Sequence, residues 1–179
     1  MKTYISFLRG INVSGQKKIL MKELSELYVK MGFTDVKTYI QSGNVVFKTG
    51  LKLTETKLAK LIEDQIEQIY HFQVPVIIRT KNQLEKIIQI NPYKNDDTDS
   101  LYVTFLSNTP NANQLEKLEN INYLPDKFEI IDKEVYLCVA AYGITKMNNN
   151  FFESKLKVTA TTRNIKTIAQ LIQLSNETE

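Results

Sequence analysis

The sequence predicts an α+β protein built from two ferredoxin-like halves with antiparallel sheets. Short β-rich runs and amphipathic helical stretches follow one another in the order β-α-β-β-α-β up to residue 79, which is the split βαβ arrangement. From residue 101 the order begins again as β-α-β-β-α-α. The second half is therefore predicted to be an incomplete copy, related to the first by order of elements and not by repeated residues.

The elements of the first half are predicted from hydrophobic periodicity and turn residues. Apolar residues at helical spacing predict two helices, the first ending near Gly32 and the second capped by Thr54. The segment 41–44 contains a glycine and an asparagine, which suit a hairpin turn with positive φ. The predicted elements are a strand at 4–8, a helix at 20–31, strands at 36–40 and 45–48, a helix at 54–70 and a strand at 74–79.

A boundary is predicted after a third helix, which starts at Thr80 or Asn82 and ends before Pro92. An acidic loop follows at 95–99, so the predicted domains are 1–94 and 95–179. No final strand is evident in the second domain. Its predicted elements are a strand at 101–106, a helix from Pro110 through Leu118, paired strands at 129–131 and 134–139, and helices near 146–156 and 164–174.

Composition makes several classes of function less favoured and excludes others. A net charge of +3 with 24% charged residues does not give the broad basic surface of a dedicated nucleic-acid binder. The single cysteine, Cys138, cannot form an internal disulfide, and no apolar stretch approaches a membrane span, so we expect a cytoplasmic protein without a membrane partner. His71 is the only histidine, which excludes an imidazole metal site. No nucleophile-base pair is evident, so catalysis and any cofactor stay open.

The segment 10–18 lies between a strand and a helix, where backbone amides and lysines such as Lys18 could hold an anion. It is not a P-loop, because Gln16 occupies the lysine position and no Ser or Thr follows Lys17. The alternative is a connection whose glycines permit turns and whose Asn12 bonds its own backbone. Arg9 favours the first interpretation, since an arginine directly after a buried strand requires an anion or a carboxylate.

A second candidate segment, 161–164, precedes the last predicted helix. Its hydroxyls and amide are natural N-cap groups, but Arg163 there would oppose the helix macrodipole and would be better tolerated beside a bound anion or a nearby acid. Residues 1–33 and 146–170 each carry a net charge of +4, whereas 94–135 carry −5. The charges predict a basic cleft between the two ends, with scattered solvated charge as the alternative.

The leading interpretation is therefore binding of an anionic small molecule, bearing a phosphate or carboxylate, such as a nucleotide. We expect Arg9 and Arg163 to share this ligand. One alternative is a single-stranded nucleic-acid binder, which is less favoured because residues 43–47 lack paired stacking aromatics. Another is a module that self-associates, and the oligomeric state stays open. The predicted ligand-binding residues are Arg9, Asn12, Lys18, Ser42, Asn44, Lys146, Arg163 and Asn164.

Three segments, 8–15, 38–47 and 160–164, resemble the bacterial family called domain of unknown function 1697. Met21, residues 32–36 and Lys146 add to the resemblance. The resemblance implies two ferredoxin-like parts and names no activity. Family members usually carry glycine where this chain has Ser14, and usually tryptophan where it has Ile165. The first difference puts a tight backbone approach at Ser14 in doubt.

Overall fold

The structure, a computed structural model, describes residues 1–119, 121 and 123–177. It confirms the predicted fold class: two four-stranded antiparallel sheets, each with helices, form two similar halves. The chain divides into two compact units. Unit 1 comprises residues 1–85 together with the C-terminal residues from 170 on, and unit 2 comprises residues 86–169. The division after residue 94, made from the sequence, stays a prediction.

Unit 1 contains a sheet with strand order β2-β3-β1-β4. The central strand β1 pairs antiparallel with β3 on one side and with β4 on the other, so Ile5 lies between Val46 and Arg79. The elements are Lys2–Leu8 (β1), Met21–Lys30 (α1), Thr34–Tyr39 (β2), Asn44–Thr49 (β3), Glu55–Tyr70 (α2), Val76–Thr80 (β4) and Lys81–Ile90 (α3), which carries the chain into unit 2.

The helices of unit 1 form where the sequence predicts them. The Thr54 hydroxyl accepts a hydrogen bond from the Lys57 N–H at 3.3 Å and so caps α2. Beyond the end of α1, Gly32 adopts a φ of +83°, which glycine reaches without steric cost. The core beneath the helices is aromatic, and the rings of Phe33 and Phe47 stack with their centroids 4.7 Å apart.

Both faces of the unit 1 sheet are buried. Tyr4 and Leu8 belong to the core beneath the helices. Because successive side chains of a strand point to opposite faces, Ile5 and Phe7 project to the other face, and both are 0% exposed. Val46 is equally buried there. This sheet therefore presents no open aromatic face.

Unit 2 repeats the topology, with strand order β6-β7-β5-β8. Its core contains Leu106, Leu137, Phe152 and Leu156, all 0% exposed. The elements are Leu101–Leu106 (β5), Ala112–Glu119 (α4), Lys127–Ile131 (β6), Glu134–Cys138 (β7), Asn149–Leu156 (α5), Ala160–Asn164 (β8) and Ile165–Asn176 (α6), which continues into unit 1; a short 3-10 turn, Thr98–Ser100, precedes β5.

The second half differs from the sequence prediction in one element, because β8 supplies the final strand that was not expected. It completes the β-α-β-β-α-β order and pairs with β5. The side chains of Ala160 and Thr162 lie on the same face of this strand. Because Thr162 is polar, the sequence of β8 lacks an apolar alternation. The Thr162 hydroxyl instead meets the Thr104 hydroxyl across the strands at 2.7 Å, and it donates to the Asn149 Oδ1 at 2.7 Å. Cross-strand polar pairs thus replace the apolar signal.

None of the helices within the described residues combines the length and apolar character that crossing a membrane requires.

Candidate functional site

Three connections meet at one end of the unit 1 sheet, where β1 ends and β3 and β4 begin. They are residues 9–20, 40–43 and 71–75, which we call the loop cluster. The Leu8 N–H donates to the Gly43 carbonyl at 2.8 Å, and the Arg9 N–H donates to the Pro75 carbonyl at 2.9 Å. The sheet register thus brings together two segments that are far apart in the sequence and that carry predicted site residues.

Asn12 joins the first connection to the second. Its Oδ1 accepts from the Ile19 N–H at 3.0 Å, and its Nδ2 donates to the Ile19 carbonyl at 2.9 Å. The same Nδ2 donates to the Gln41 carbonyl at 2.9 Å. Both amide hydrogens are therefore used on backbone carbonyls, and the side chain of Asn12 holds the loops in place.

Residues 12–17 form a small β-hairpin, which we call the finger. The Gln16 N–H donates to the Val13 carbonyl at 3.0 Å. At the tip Ser14 and Gly15 have φ of 50° and 75°, the left-handed pair that a type I′ turn requires. The Lys17 Nζ donates to the Gln73 carbonyl at 2.6 Å and fixes the base of the finger to the third connection. Ser14 thus adopts a conformation that glycine takes at lower cost.

The turn between β2 and β3 packs tightly on the end of β1. Gly43 has a φ of +77°, and a Cβ added there would lie 2.7 Å from the Leu8 Cβ and 2.8 Å from the Ile11 Cδ1. Asn44 is fully buried and donates to the Tyr39 carbonyl at 3.0 Å and to the Ser42 Oγ at 2.9 Å. Two predicted site residues, Ser42 and Asn44, are therefore parts of the turn itself.

The loop cluster is positively charged. Its three connections contain Arg9, Lys17 and Lys18 and no acid. Two carboxylates of α2 reach the third connection and the start of β4, where Glu67 accepts from the Gln73 side chain at 3.1 Å and Glu63 accepts from the Val76 N–H at 2.8 Å. Arg9 is half-buried, whereas Lys18 is exposed. No hydrogen bond or ion pair joins Lys18 to another described residue. A concentrated charge on a surface of fixed backbone attracts anions.

The other predicted residues lie in unit 2. Arg163 is on β8, is 9% exposed, and donates from Nη1 to the Thr161 Oγ1 at 2.9 Å and to the Thr162 carbonyl at 2.8 Å. It is therefore a strand residue, whereas the sequence placed it in a capping segment before the last helix. The Asn164 Oδ1 accepts from the Lys166 N–H at 2.8 Å at the start of α6. Lys146 is exposed in the loop that follows β7.

Sequence reasoning missed Arg79, which occupies in unit 1 the position of Arg163 in unit 2. Ile5 pairs with Arg79, and Val103 pairs with Arg163. Arg79 is 3% exposed and its Nη1 donates to the preceding carbonyl, of Ile78, at 2.8 Å, as Arg163 does. The available signal was an arginine as the fourth of five residues in the last strand of each half.

Tyr136 is a second residue that the sequence did not single out. It is 0% exposed on β7, and its hydroxyl has no hydrogen-bond partner among the described residues. Burial raises its pKa well above the usual value, and the carboxylates of Glu134, Asp132 and Glu129 raise the pKa further. The hydroxyl therefore stays protonated in the folded protein.

A cavity of about 280 Å³ lies elsewhere in unit 1, beside α1 and the end of α2. Two carboxylates line it, and burial followed by the neighbouring Glu23 raises the pKa of Tyr70 in its wall. These carboxylates make the cavity unsuitable for an anion. Among the described residues no group of His, Cys, Asp and Glu side chains is arranged to hold a metal ion. The lining residues are Glu23, Glu26, Leu27, Lys30, Ile69 and Tyr70.

The fold places the chain among α+β proteins with two ferredoxin-like units. A family model described as "Protein of unknown function (DUF1697)" matches residues 1–136, so the chain belongs to that family. The matched region includes the whole loop cluster. It ends before β8, which contains Arg163.

One solved structure shares the fold over nearly its whole length. The conserved bacterial protein SP0830 from Streptococcus pneumoniae is 20% identical, with a TM-score of 0.73 over 97% of this chain and 98% of that one. At this identity the likeness shows the fold alone. No curated protein matches the chain.

Proposed function

We propose that the chain binds a small anionic ligand, bearing a phosphate or a carboxylate, at the loop cluster of unit 1. The observation that carries this proposal is the joining, by the Asn12 amide, of the cation-bearing first connection to a turn that contains no acid. The result is a basic surface on backbone that is already ordered before a ligand arrives. A preordered surface binds without the cost of fixing loops, which favours affinity for a small ligand.

Two residues have distinct roles in this proposal. Lys18 supplies an exposed charge with no competing partner among the described residues. Arg9 is half-buried at the end of β1, and its backbone is held by Pro75, so its planar guanidinium is the better group for bidentate capture. Asn12, Ser42 and Asn44 support the surface through their hydrogen bonds and need not contact the ligand.

The alternative of nucleic-acid binding receives less support. Recognition of single strands by a ferredoxin-like sheet uses aromatic side chains on an open sheet face. In unit 1 Phe7 and its neighbours on that face are fully buried. A short oligothymidylate therefore belongs in the binding screen as a competitor, with a weaker response expected than for compact anions.

The experiment is a calorimetric titration of the full chain with inorganic phosphate, pyrophosphate and ATP. Lys18→Ala should weaken binding of the best of these probes by about tenfold, the loss of one charge-assisted contact. Lys57→Ala is the matched control, because Lys57 is an exposed lysine on the first turn of α2, which follows the opposite end of β3. It changes the net charge equally and should leave affinity unchanged.

Equal effects of Lys18→Ala and Lys57→Ala would mean that binding follows net charge, and the proposed site would then be wrong. No response to any of the anions would also contradict the proposal. The prediction that Arg163 and Lys146 contact the same ligand is tested by adding Arg163→Ala and Lys146→Ala to the series. Unchanged affinity in both would confine the site to unit 1.

A further inference from the structure

The loop cluster carries exposed aliphatic side chains beside its cations. Val13 is 60% exposed, Leu20 64% and Ile40 50%. Each is the chain neighbour of Asn12 or of one of the two residues that the Asn12 side chain bonds, Ile19 and Gln41. The hydrogen bonds of Asn12 thus hold the three positions on one part of the surface, and we call these residues the aliphatic rim.

Ile40 is held on this surface at a conformational cost. Its φ is 50°, a left-handed conformation that β-branched residues rarely adopt. The cost of that conformation for an L-residue is roughly 1–2 kcal/mol. A glycine or asparagine would avoid it, and an isoleucine that is half exposed regains little of the cost by burial. Strain of this kind concentrates at binding and catalytic sites.

The charge next to the rim limits what can cover it. The two connections that carry the rim, 9–20 and 40–43, contain cations and no acid, so a cationic partner would meet like charge beside the rim. The carboxylates that reach the loop cluster, Glu63 and Glu67, are bound at the third connection and the start of β4. A bare inorganic anion would use Lys18 but would leave the three aliphatic side chains in water. An anion with an apolar body uses both parts of the surface.

We infer that the ligand of the loop cluster is an organic anion, with its charged group at Lys18 and its apolar body against the aliphatic rim. This inference rests on the proposed function and adds the class of ligand. A ring or a short hydrocarbon chain carrying a phosphate or carboxylate meets the requirement. The aliphatic rim then sets specificity, and the cations set the requirement for negative charge.

The test compares two probes with the same charged group, inorganic phosphate and phenyl phosphate, by titration of the full chain. Phenyl phosphate should bind at least about tenfold more tightly, as expected for burying one ring partially. Ile40→Asn should reduce this ratio toward one, because asparagine tolerates the left-handed backbone and the variant therefore folds. Val13→Ser at the finger should act in the same direction.

Ile144→Ser is the matched control, because Ile144 is an isoleucine that is 84% exposed in unit 2. It should leave the ratio unchanged. Equal affinity for the two probes would overturn the inference about the rim and leave the proposed function standing. If the unsubstituted chain binds neither inorganic phosphate nor phenyl phosphate, both the inference and the proposed function are wrong. A further outcome is that the chain associates with itself as its concentration rises. If Ile40→Asn abolished that association and the two probes bound equally, the rim would be an interface with a second copy, and the inference would be wrong.

Discussion

Units 1 and 2 share their topology and the register of their central strands, yet they differ at the connection that follows the first strand. In unit 1 this connection runs through residues 9–20 and contains the finger. In unit 2 it is the shorter segment 107–111, which leads directly into α4. The sheet is common to both units, whereas the cationic surface belongs to one. The comparison shows a cationic surface that depends on the longer connection of one copy of a repeated scaffold, and this is the surface at which we propose binding.

The largest expected effect concerns the turn against which that loop packs. Gly43→Ala should lower the free energy of unfolding by about 4 kcal/mol, because the new Cβ clashes with Leu8 and Ile11 and the left-handed φ adds strain. Gly15→Ala is the control, since its φ of +75° is similar but nothing lies within 4 Å. It should cost about 1 kcal/mol.

Urea denaturation measures both glycine variants, with the m value checked for constancy. Equal losses would show that backbone strain alone decides the effect and that the packing of the turn on β1 contributes nothing.

An intermediate loss of stability is expected for an asparagine in each of the two corresponding connections, 9–20 in unit 1 and 107–111 in unit 2. Asn12→Ala should cost about 2 kcal/mol, because it leaves the Ile19 and Gln41 backbone groups without their partner. Asn111→Ala in unit 2 removes the cap that accepts from the Gln114 N–H and should cost about 1 kcal/mol. Thermal unfolding of the two variants measures both losses of stability. A larger loss of stability for Asn111→Ala would contradict the role given to Asn12.

The smallest expected changes in the free energy of unfolding concern two buried tyrosines. Tyr28 shares a hydrogen bond of 2.8 Å with Ser6, so Tyr28→Phe should cost about 1 kcal/mol. Tyr136 has no partner among the described residues, so Tyr136→Phe should raise the free energy of unfolding by about 1 kcal/mol. Calorimetry at neutral pH tests the opposite signs. Two changes of the same sign would show that Tyr136 is satisfied in solution.

The two tyrosines also predict a dependence on alkaline pH. Burial raises the pKa of each in the folded state, while the unfolded value is about 10. The folded state keeps these protons above pH 10 and the unfolded state loses them. Their contribution to stability is thus complete below about pH 10 and falls as pH rises further, by up to about 1.4 kcal/mol per pH unit for each tyrosine. The double Phe variant should flatten this decline, which denaturation at a series of pH values measures.

Local sequence patterns were sufficient for most of the fold. The helical spacing of Leu24, Leu27 and Tyr28 predicted α1, and the Gly43 region predicted the β2-β3 hairpin. β8 could not be predicted in this way, because the Thr162 side chain forms a hydrogen bond with Thr104, which is far away in the sequence. A pattern based on hydrophobicity does not record such a pair.

The candidate site could be predicted only in part. Arg9 and Lys18 follow from local charge and position after a buried strand. The finger could not be foreseen, since its form depends on Asn12 reaching Gln41 and on Lys17 reaching Gln73. Arg79 was missed because its correspondence to Arg163 becomes visible only when the last strands of the two halves are compared.

The hydrogen bonds of Asn12 also have a consequence for motion. Because one side-chain amide bonds both the Ile19 and the Gln41 carbonyls, the finger cannot swing away while the turn stays closed without leaving donors and acceptors unpaired. The two segments should therefore open together, as one cooperative fluctuation, rather than as two independent loops. Release of the proposed ligand would then follow this joint opening of both segments and not the movement of one loop alone.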